Sequence, residues 1–377
     1  MKGSIKKNLQ TGKWDLVVDI GKDPVSGKRK QKKKRGYSTK KEAEIALVNI
    51  RKELLEGTYI DSKNVLLHEY MTEWFEAREL KLSKNTHINY LSLYKYHINP
   101  YLGSYKLQDL NSILLQKYVN ELAKNSKLQA NSIKKVLDIL KVALKKAKKL
   151  SLIRENPLDN VELPRGEKKE MLVWDLNQVN KFINAAQVFR YYIAYILAIF
   201  TGMRKGEILG LRWKDIDFDK NIIYVKQILA NNGKEFKVGA KTASGVRAIH
   251  IPKHLAYELL SHRKKMLQEK SQSGLEYTEN DLVVSTKYGN PVDPASLSVR
   301  FKKQIIKLGL PPIRFHDLRH THTTMLIQQN VNAKVISERL GHSSIQITLN
   351  QYSHVLPSMQ QEVANKLDEL IQLKETL

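Results

Sequence analysis

The 377-residue chain contains no cysteine. That excludes disulfide staples, thiolate zinc sites and cysteine nucleophiles, and leaves the redox compartment open. Long apolar runs are missing too. The longest, Tyr191 to Phe200, is about half of what a membrane-spanning helix requires. The N-terminus, MKGSIKKN, has no apolar stretch behind its basic residues, so no secretory signal is expected. Acidic residues are scarce relative to basic ones: 38 Asp+Glu against 64 Lys+Arg, a formal net charge of +26. Such an excess implies a polyanionic partner. With no spanning segment and no export signal, the expectation is a soluble protein inside the cell whose partner is nucleic acid and not a membrane.

What is present is ordinary for a globular protein, 42% hydrophobic and 27% charged residues, over a length that suits two or three domains. Residues 1–60 hold 16 Lys+Arg and 7 Asp+Glu, a net +9. Trp14 to Ile20 alternates as a strand, a turn is expected from Asp23-Pro24 to Ser26-Gly27, and KRKQKKKR at 28–35 reads as a second strand or an exposed basic loop. Its basic residues, Lys28, Arg29, Lys30, Lys32, Lys33, Lys34 and Arg35, are candidate phosphate contacts. Ser38 to Glu42 resembles a capping box and begins a helix to about Glu56. Residues 64–160 read as helices: 66–80, a second capped by Ser83 and ending before Pro100, then about 111–124 and 129–149. The last has an apolar stripe of Ile133, Val136, Leu137, Leu140 and Leu144 among seven lysines. Charge without apolar period at 164–170 reads as a linker.

From Met171 a second large domain is expected. Asp175 caps a helix, the apolar run at 190–200 is a buried one, and Leu209, Leu211 and Trp213 read as core. Strands are expected over 221–228, 234–238 and 246–252, with a hairpin turn at 239–245. Helices at about 253–270 and 294–308 flank a strand at 281–285, and residues 358–377 form a terminal amphipathic helix.

Two stretches carry chemistry. In TGMRKGE, a glycine turn presents Arg204 at the start of a helix, three residues before Glu207. In residues 313–352, HDLRH puts His316 and Arg319 on one helix face. VISERLGH then stops a short helix at Gly341 and delivers His342 in a turn, and an apolar-periodic run with Ile345, Ile347 and Leu349 leads to Tyr352. Two histidines, arginine and tyrosine suit a site where an oxyanion is bound and attacked. A metal reading through His316, His320 and His322 lacks an accompanying glutamate and puts Arg319 on the same face as the dication.

The H-x-x-R … L-G-H … Y pattern resembles the signature of tyrosine recombinases, the phage-integrase family, over essentially the whole chain. The resemblance implies a multidomain α+β protein: a small basic N-terminal domain (1–60, a three-stranded sheet plus a helix) binding arm-type DNA sites, a helical core-binding domain (61–163), a linker (164–170), and a mainly helical catalytic domain with a small antiparallel sheet (171–377). It implies site-specific cleavage and rejoining of double-stranded DNA through a 3′-phosphotyrosyl bond, with neither metal nor cofactor, to integrate and excise a mobile element. The implied catalytic residues are Tyr352, Arg204, Lys241 in the 239–245 hairpin, His316, Arg319 and His342, with Glu207 steadying the site. A homo-tetramer on DNA, an excision or directionality factor, a host DNA-bending protein and a bacterial cytoplasmic, nucleoid-associated location are also implied. The terminal helix would dock on a neighbouring protomer. A type IB topoisomerase or a non-catalytic DNA-binding regulator is the alternative.

Overall fold

The computed structural model describes residues 3–22, 27–55, 65–125, 128–164, 166, 172–239 and 246–352, with residues 365 and 367 isolated beyond them. The turn expected at 23–26, most of the 164–170 linker, and the terminal helix apart from those two residues lie outside the described residues. The chain divides into two compact units, Met1–Lys168 and Lys169–Leu377.

The first unit begins with an antiparallel sheet, β1 (Gly3–Lys7), β2 (Trp14–Lys22) and β3 (Arg29–Tyr37), in the order β1-β2-β3. The basic octamer is therefore a strand and not a loop, and it is the third. Helix α1 (Lys40–Leu55) covers one face, where Leu47 and Ile50 bury against Leu16 and Val18. Its start is the expected capping box: Thr39 Oγ1 accepts from the Glu42 amide at 3.2 Å and the Glu42 carboxylate accepts from the Thr39 amide at 3.3 Å, and from the Ser38 amide at 3.0 Å. The β2–β3 register slips between Trp14 and Leu16 and again between Asp19 and Lys22. Gly36 (φ 95°) and Gly21 (φ 106°) sit at those slips, where an L side chain would be strained.

The rest of this unit is helical: α2 (Leu67–Glu76), α3 (Lys84–Leu93), α4 (Asn99–Leu102), α5 (Ser112–Asn125) and α6 (Ala130–Lys149). The helix expected to end before Pro100 instead runs on, through a π turn at Tyr94–Ile98, into α4. Proline lacks an N–H and clashes with the carbonyl four residues back. The wide turn, in which the Asn99 amide donates to Tyr94 O, shifts the ladder by one residue and puts Pro100 in the first turn of a new segment, where it is tolerated. Along α6 the expected apolar stripe is buried and its seven lysines are exposed.

The second unit contains α7 (Leu176–Ala186), α8 (Tyr192–Thr201), α9 (Lys205–Gly210), β4 (Ile216–Asp217), β5 (Ile222–Val225), β6 (Gln227–Leu229), β7 (Phe236–Val238), β8 (Arg247–His250), α10 (Lys253–Ser273), α11 (Pro294–Lys307), α12 (Asp317–Gln328), α13 (Ala333–Leu340) and α14 (Ile345–Tyr352). Asp175 Oδ1 caps α7 at 2.8 Å from the Gln178 amide. Helix α8 is buried almost all round. Its Tyr195 joins Trp174, Phe182, Phe301 and Phe315 in an aromatic cluster.

Two strand expectations need correction. The run 221–228 breaks at Lys226, so β5 pairs with β8 while β6 pairs with β7, giving two small antiparallel sheets where one was expected. Residues 281–285 form no strand. Only single bridges, Arg212 to Leu282 and Ser285 to Pro291, occur there. Leu282, Val283, Val284 and Ser285 are all buried, so the segment is a buried connection with no polar face to alternate with. Helix α9 rests on β6 at backbone distance: a Cβ on Gly206 would lie 2.8 Å from Leu229 O, and one on Gly210 2.8 Å from Leu229 N.

Candidate active site

Helix α8 ends at Gly202, which takes the left-handed conformation (φ 66°, ψ 15°). A Cβ there would meet His322 Cδ2 and Leu340 Cδ2, each at 2.6 Å, so glycine is required by space as well as by φ. Two residues later Arg204 is the N-cap of α9. Glu207, only 1% exposed, reaches back to it: Oε2 accepts from the Arg204 amide at 2.8 Å and Oε1 from Arg204 Nη1 at 2.9 Å. The other guanidinium nitrogen, Nη2, donates to Gly341 O at 3.1 Å.

His316 precedes α12 and Arg319 lies in its first turn. Asp317 accepts from the Arg314 amide at 2.7 Å and from its guanidinium, which locks the entry to this helix. Arg319 is buried, donating from Nη1 to Gly202 O at 2.7 Å and from Nη2 to Leu340 O at 2.8 Å. Arg204 and Arg319 thus meet at the last carbonyls of α13, the negative end of its dipole. Gly341 (φ 65°) terminates that helix as expected, and His342 follows in the turn. His342 Nδ1 lies 2.8 Å from Thr348 Oγ1 on α14. Ile345 and Ile347 of the apolar run are 41% and 42% exposed, whereas Thr348 is buried. Tyr352 is the last residue of α14. Its side chain, like Lys241, lies outside the described residues.

Burial and the neighbouring cations set the protonation of the site. His342 is pushed down to about 4 by burial, then by Arg319, Arg204 and Arg247. His316 is also pushed down to about 4, by burial, then by His320 and Arg319. Both are neutral at pH 7, each with one N–H to donate and one nitrogen to accept. Burial alone would raise the Glu207 carboxyl, but its bonds to Arg247 and Arg204 hold it below the ordinary value.

Two residues at the site, Arg247 and Thr348, went unrecognised in the sequence, and a third, His322, was considered only as a metal ligand. Arg247, the first residue of β8, donates from Nη1 and Nη2 to Glu207 Oε1 and Oε2 at 3.1 and 2.8 Å, and from Nε to Arg339 O at 2.7 Å. Thr348 holds His342. His322 holds α8, α12 and α13 together. Its Nδ1 is 2.7 Å from Ile199 O, an acceptor, so Nδ1 carries the proton; Nε2 accepts from Arg339 Nε at 3.3 Å. This engagement also removes His322 from a metal set with His316 and His320, whose rings stack edge to face at 5.2 Å. Among the described residues no group of three or more His, Asp or Glu is placed to hold a metal.

The seven basic candidates of the N-terminal sheet do not share one face. Lys28 precedes β3, and the strand then alternates. Lys32 pairs with Val18 and Lys34 with Leu16, on the α1 side, whereas Lys33 pairs with Val17 on the open face. Arg29 pairs ionically with Asp19 at 2.5 Å, and Arg35 Nε lies 3.9 Å from Asp15. Lys30 belongs with Lys32 and Lys34 by alternation.

Known proteins match each part of this architecture. The phage integrase family model matches residues 173–359, an arm DNA-binding domain model residues 4–54, and the phage integrase N-terminal SAM-like domain model residues 66–123. A "tyrosine recombinase XerC-like" protein of Caldanaerobacter subterraneus subsp. tengcongensis is 31% identical over 95% of this chain and 96% of its own. The ICEBs1 integrase of Bacillus subtilis is 29% identical over 98% and 100%. The Tn1549 transposon integrase, solved in complex with transposon right end DNA, superposes with a TM-score of 0.69 over 80% of this chain and 99% of that one, at 22% identity. Lambda integrase, solved as a tetramer bound to a Holliday junction, gives 0.59 over 92% and 94%, at 20% identity. At these identities the two structures speak for the fold.

Proposed function

Because this chain belongs to the phage integrase family of tyrosine recombinases, we infer that the Arg204–Arg319–His342 cluster is the phosphate-binding half of a DNA strand-transfer site. The protein is a site-specific recombinase that breaks and rejoins DNA to integrate and excise a mobile element. The observation that supports the residue assignment is the convergence of both guanidiniums on the Leu340–Gly341 end of α13, next to His342.

In this reading the Tyr352 hydroxyl attacks the scissile phosphorus. A P–O bond forms to the tyrosine, the bond to the 5′ oxygen breaks, and a 3′-phosphotyrosyl end and a 5′-hydroxyl result. Arg204 and Arg319, always charged, hold the non-bridging oxygens and neutralise the charge that grows on the five-coordinate phosphorus. A free tyrosine has a pKa of about 10, so its proton must be taken as it attacks. Neutral His316 or His342 can accept it, and the other donates a hydrogen bond to phosphate. Lys241 gives a proton to the departing 5′ oxygen, since an alkoxide is a poor leaving group. The phosphotyrosyl bond conserves the phosphodiester energy, so rejoining is the same step reversed.

Residues 1–60 bind arm-type sites, and 61–163 and 171–377 bind the core site in this reading. The protein assembles as a tetramer on DNA in the bacterial cytoplasm, at the nucleoid, with a directionality factor and a host DNA-bending protein. Covalent trapping tests the assignment. Nicked suicide substrates spanning the ends of the element that carries this gene are mixed with protein and EDTA. A protease-sensitive protein–DNA adduct that disappears in Tyr352→Phe, while DNA binding persists, is the expected result. A clear gel shift with no adduct favours the DNA-binding regulator instead.

A further inference from the structure

We propose that Arg247 is a positioning residue for strand cleavage, setting Arg204 through the Glu207 carboxylate and the His342 turn through the Arg339 carbonyl. The proposal rests on the recombinase reading above. Arg247 is a β8 residue with a side chain only 7% exposed, so it is not a surface cation. Its guanidinium uses two edges. One edge makes a bidentate pair with Glu207, and Nε, on the other, reaches Arg339 O, three residues before His342.

Glu207 is shared. Oε1 accepts from Arg204 Nη1 and Arg247 Nη1, and Oε2 from the Arg204 amide and Arg247 Nη2. Four bonds fill the acceptor capacity of one carboxylate. Glu207 can therefore keep its rotamer toward Arg204 only while Arg247 holds the opposite side. Gly206 and Gly210 bring α9 to backbone distance of β6, a contact separate from the cap that Glu207 makes to the Arg204 amide. What Arg247 governs is the direction of the carboxylate, and with it the direction of the Arg204 fork. A lysine in its place offers one point charge and cannot serve the carboxylate in two bonds and a carbonyl in a third.

The experiment measures single-turnover adduct formation by full-length protein, with equilibrium binding to the same DNA and thermal melting, for wild type, Arg247→Lys and Arg247→Gln. Each is run on a normal suicide substrate and on one with a methylphosphonate at the scissile position. The methyl group removes a charged non-bridging oxygen, so cleavage leans less on an aligned guanidinium. The expected result is a loss of about 30-fold in adduct rate on phosphate for Arg247→Gln, a smaller loss for Arg247→Lys, and binding within about 3-fold of wild type. On the methylphosphonate both deficits shrink to within about 3-fold. If Arg247→Gln melts below the assay temperature, Arg247→Lys carries the comparison. Equal deficits on both substrates, or a rate loss that follows binding, would overturn the proposal while leaving the recombinase reading intact. A wild-type protein that forms no adduct on either substrate would overturn both.

Discussion

His342 and Thr348 are joined by a 2.8 Å hydrogen bond across the turn between α13 and α14. Thr348 is almost fully buried and lies one helical turn before Tyr352. The bond therefore couples the orientation of His342 to the helix that carries Tyr352, the proposed nucleophile. Thr348→Val keeps the shape and removes the hydroxyl. The lost bond and the unpaired His342 nitrogen should cost about 1–2 kcal/mol, or roughly tenfold in cleavage. Thr348→Ser should retain most of the activity. Single-turnover adduct formation checks it, and a fully active Thr348→Val would mean that His342 is oriented by something else.

Glu207→Gln should lower stability as well as cleavage. The carboxylate is buried between two guanidiniums, and its neutral amide leaves Arg247 buried without an anionic counterpart from Glu207. Breaking a buried pair in this way costs about 3–5 kcal/mol, which for a unit of this size is a fall of roughly 6–20 °C in melting temperature. Calorimetry on the full chain decides it. A drop of a degree or less would show that the helix-end carbonyls, and not Glu207, balance the arginines.

Acid should destabilise the protein well before its carboxylates titrate. His316 and His342 are held down to about 4 and His322, by burial and then by Arg339, to about 3. An unfolded histidine titrates near 6.5. Between those values the unfolded chain holds more protons than the folded one, so stability is full above about pH 6.5 and is lost as pH falls. Near pH 5 these three histidines should contribute about three protons to the slope of unfolding free energy against pH, and His322→Asn should remove about one. His320 and His262, also held below the ordinary value by burial, add to it. Denaturant titrations from pH 7 to 4.5 measure both. An unchanged slope in the variant would place the proton uptake elsewhere.

Much of this was legible because it is one-dimensional. The stripe of α6, the uninterrupted apolar run of α8 and the glycine stop at Gly341 are local patterns, and each forms the expected element. The π turn before Pro100 was hidden because proline usually ends a helix, and only the hydrogen bond from Asn99 to Tyr94 shows how the ladder slips past it. The break at Lys226 was hidden because the β-rich run 221–228 contains no glycine or proline, and the division is set by which partner each half meets. His316, Arg319 and His342 could be proposed from their spacing, and Arg204 from the family pattern that its turn resembles. Arg247 could not: one arginine among 64 Lys+Arg carries no mark of its burial, and Glu207 lies 40 positions away. Thr348 was overlooked because a lone hydroxyl among the apolar Ile345, Ile347 and Leu349 carries no mark of its burial.

The alternation of β3 yields a discriminating test of the arm-binding assignment. Lys33 pairs with Val17 on the face of the sheet away from α1, and Lys6, which pairs with Asp15, is on that face too. Lys32 and Lys34 stand on the helix side, beside Val18 and Leu16. Asp15 and Asp19, on the open face, are partly neutralised by Arg35 and Arg29, so Lys33 and Lys6 supply the cations there that are not in these ion pairs. If the open face meets the duplex, Lys33→Ala should weaken binding to arm-type sites at every sequence tested and lower the dependence of log K on log salt by about one phosphate contact. Lys34→Ala should do less, and core-site binding should not respond to either change. Titrations of arm-site and core-site duplexes at several salt concentrations give both numbers. If Lys34→Ala reduces the arm-site salt slope and Lys33→Ala leaves it unchanged, the DNA lies against the helix side of the sheet and the open face is not the binding surface.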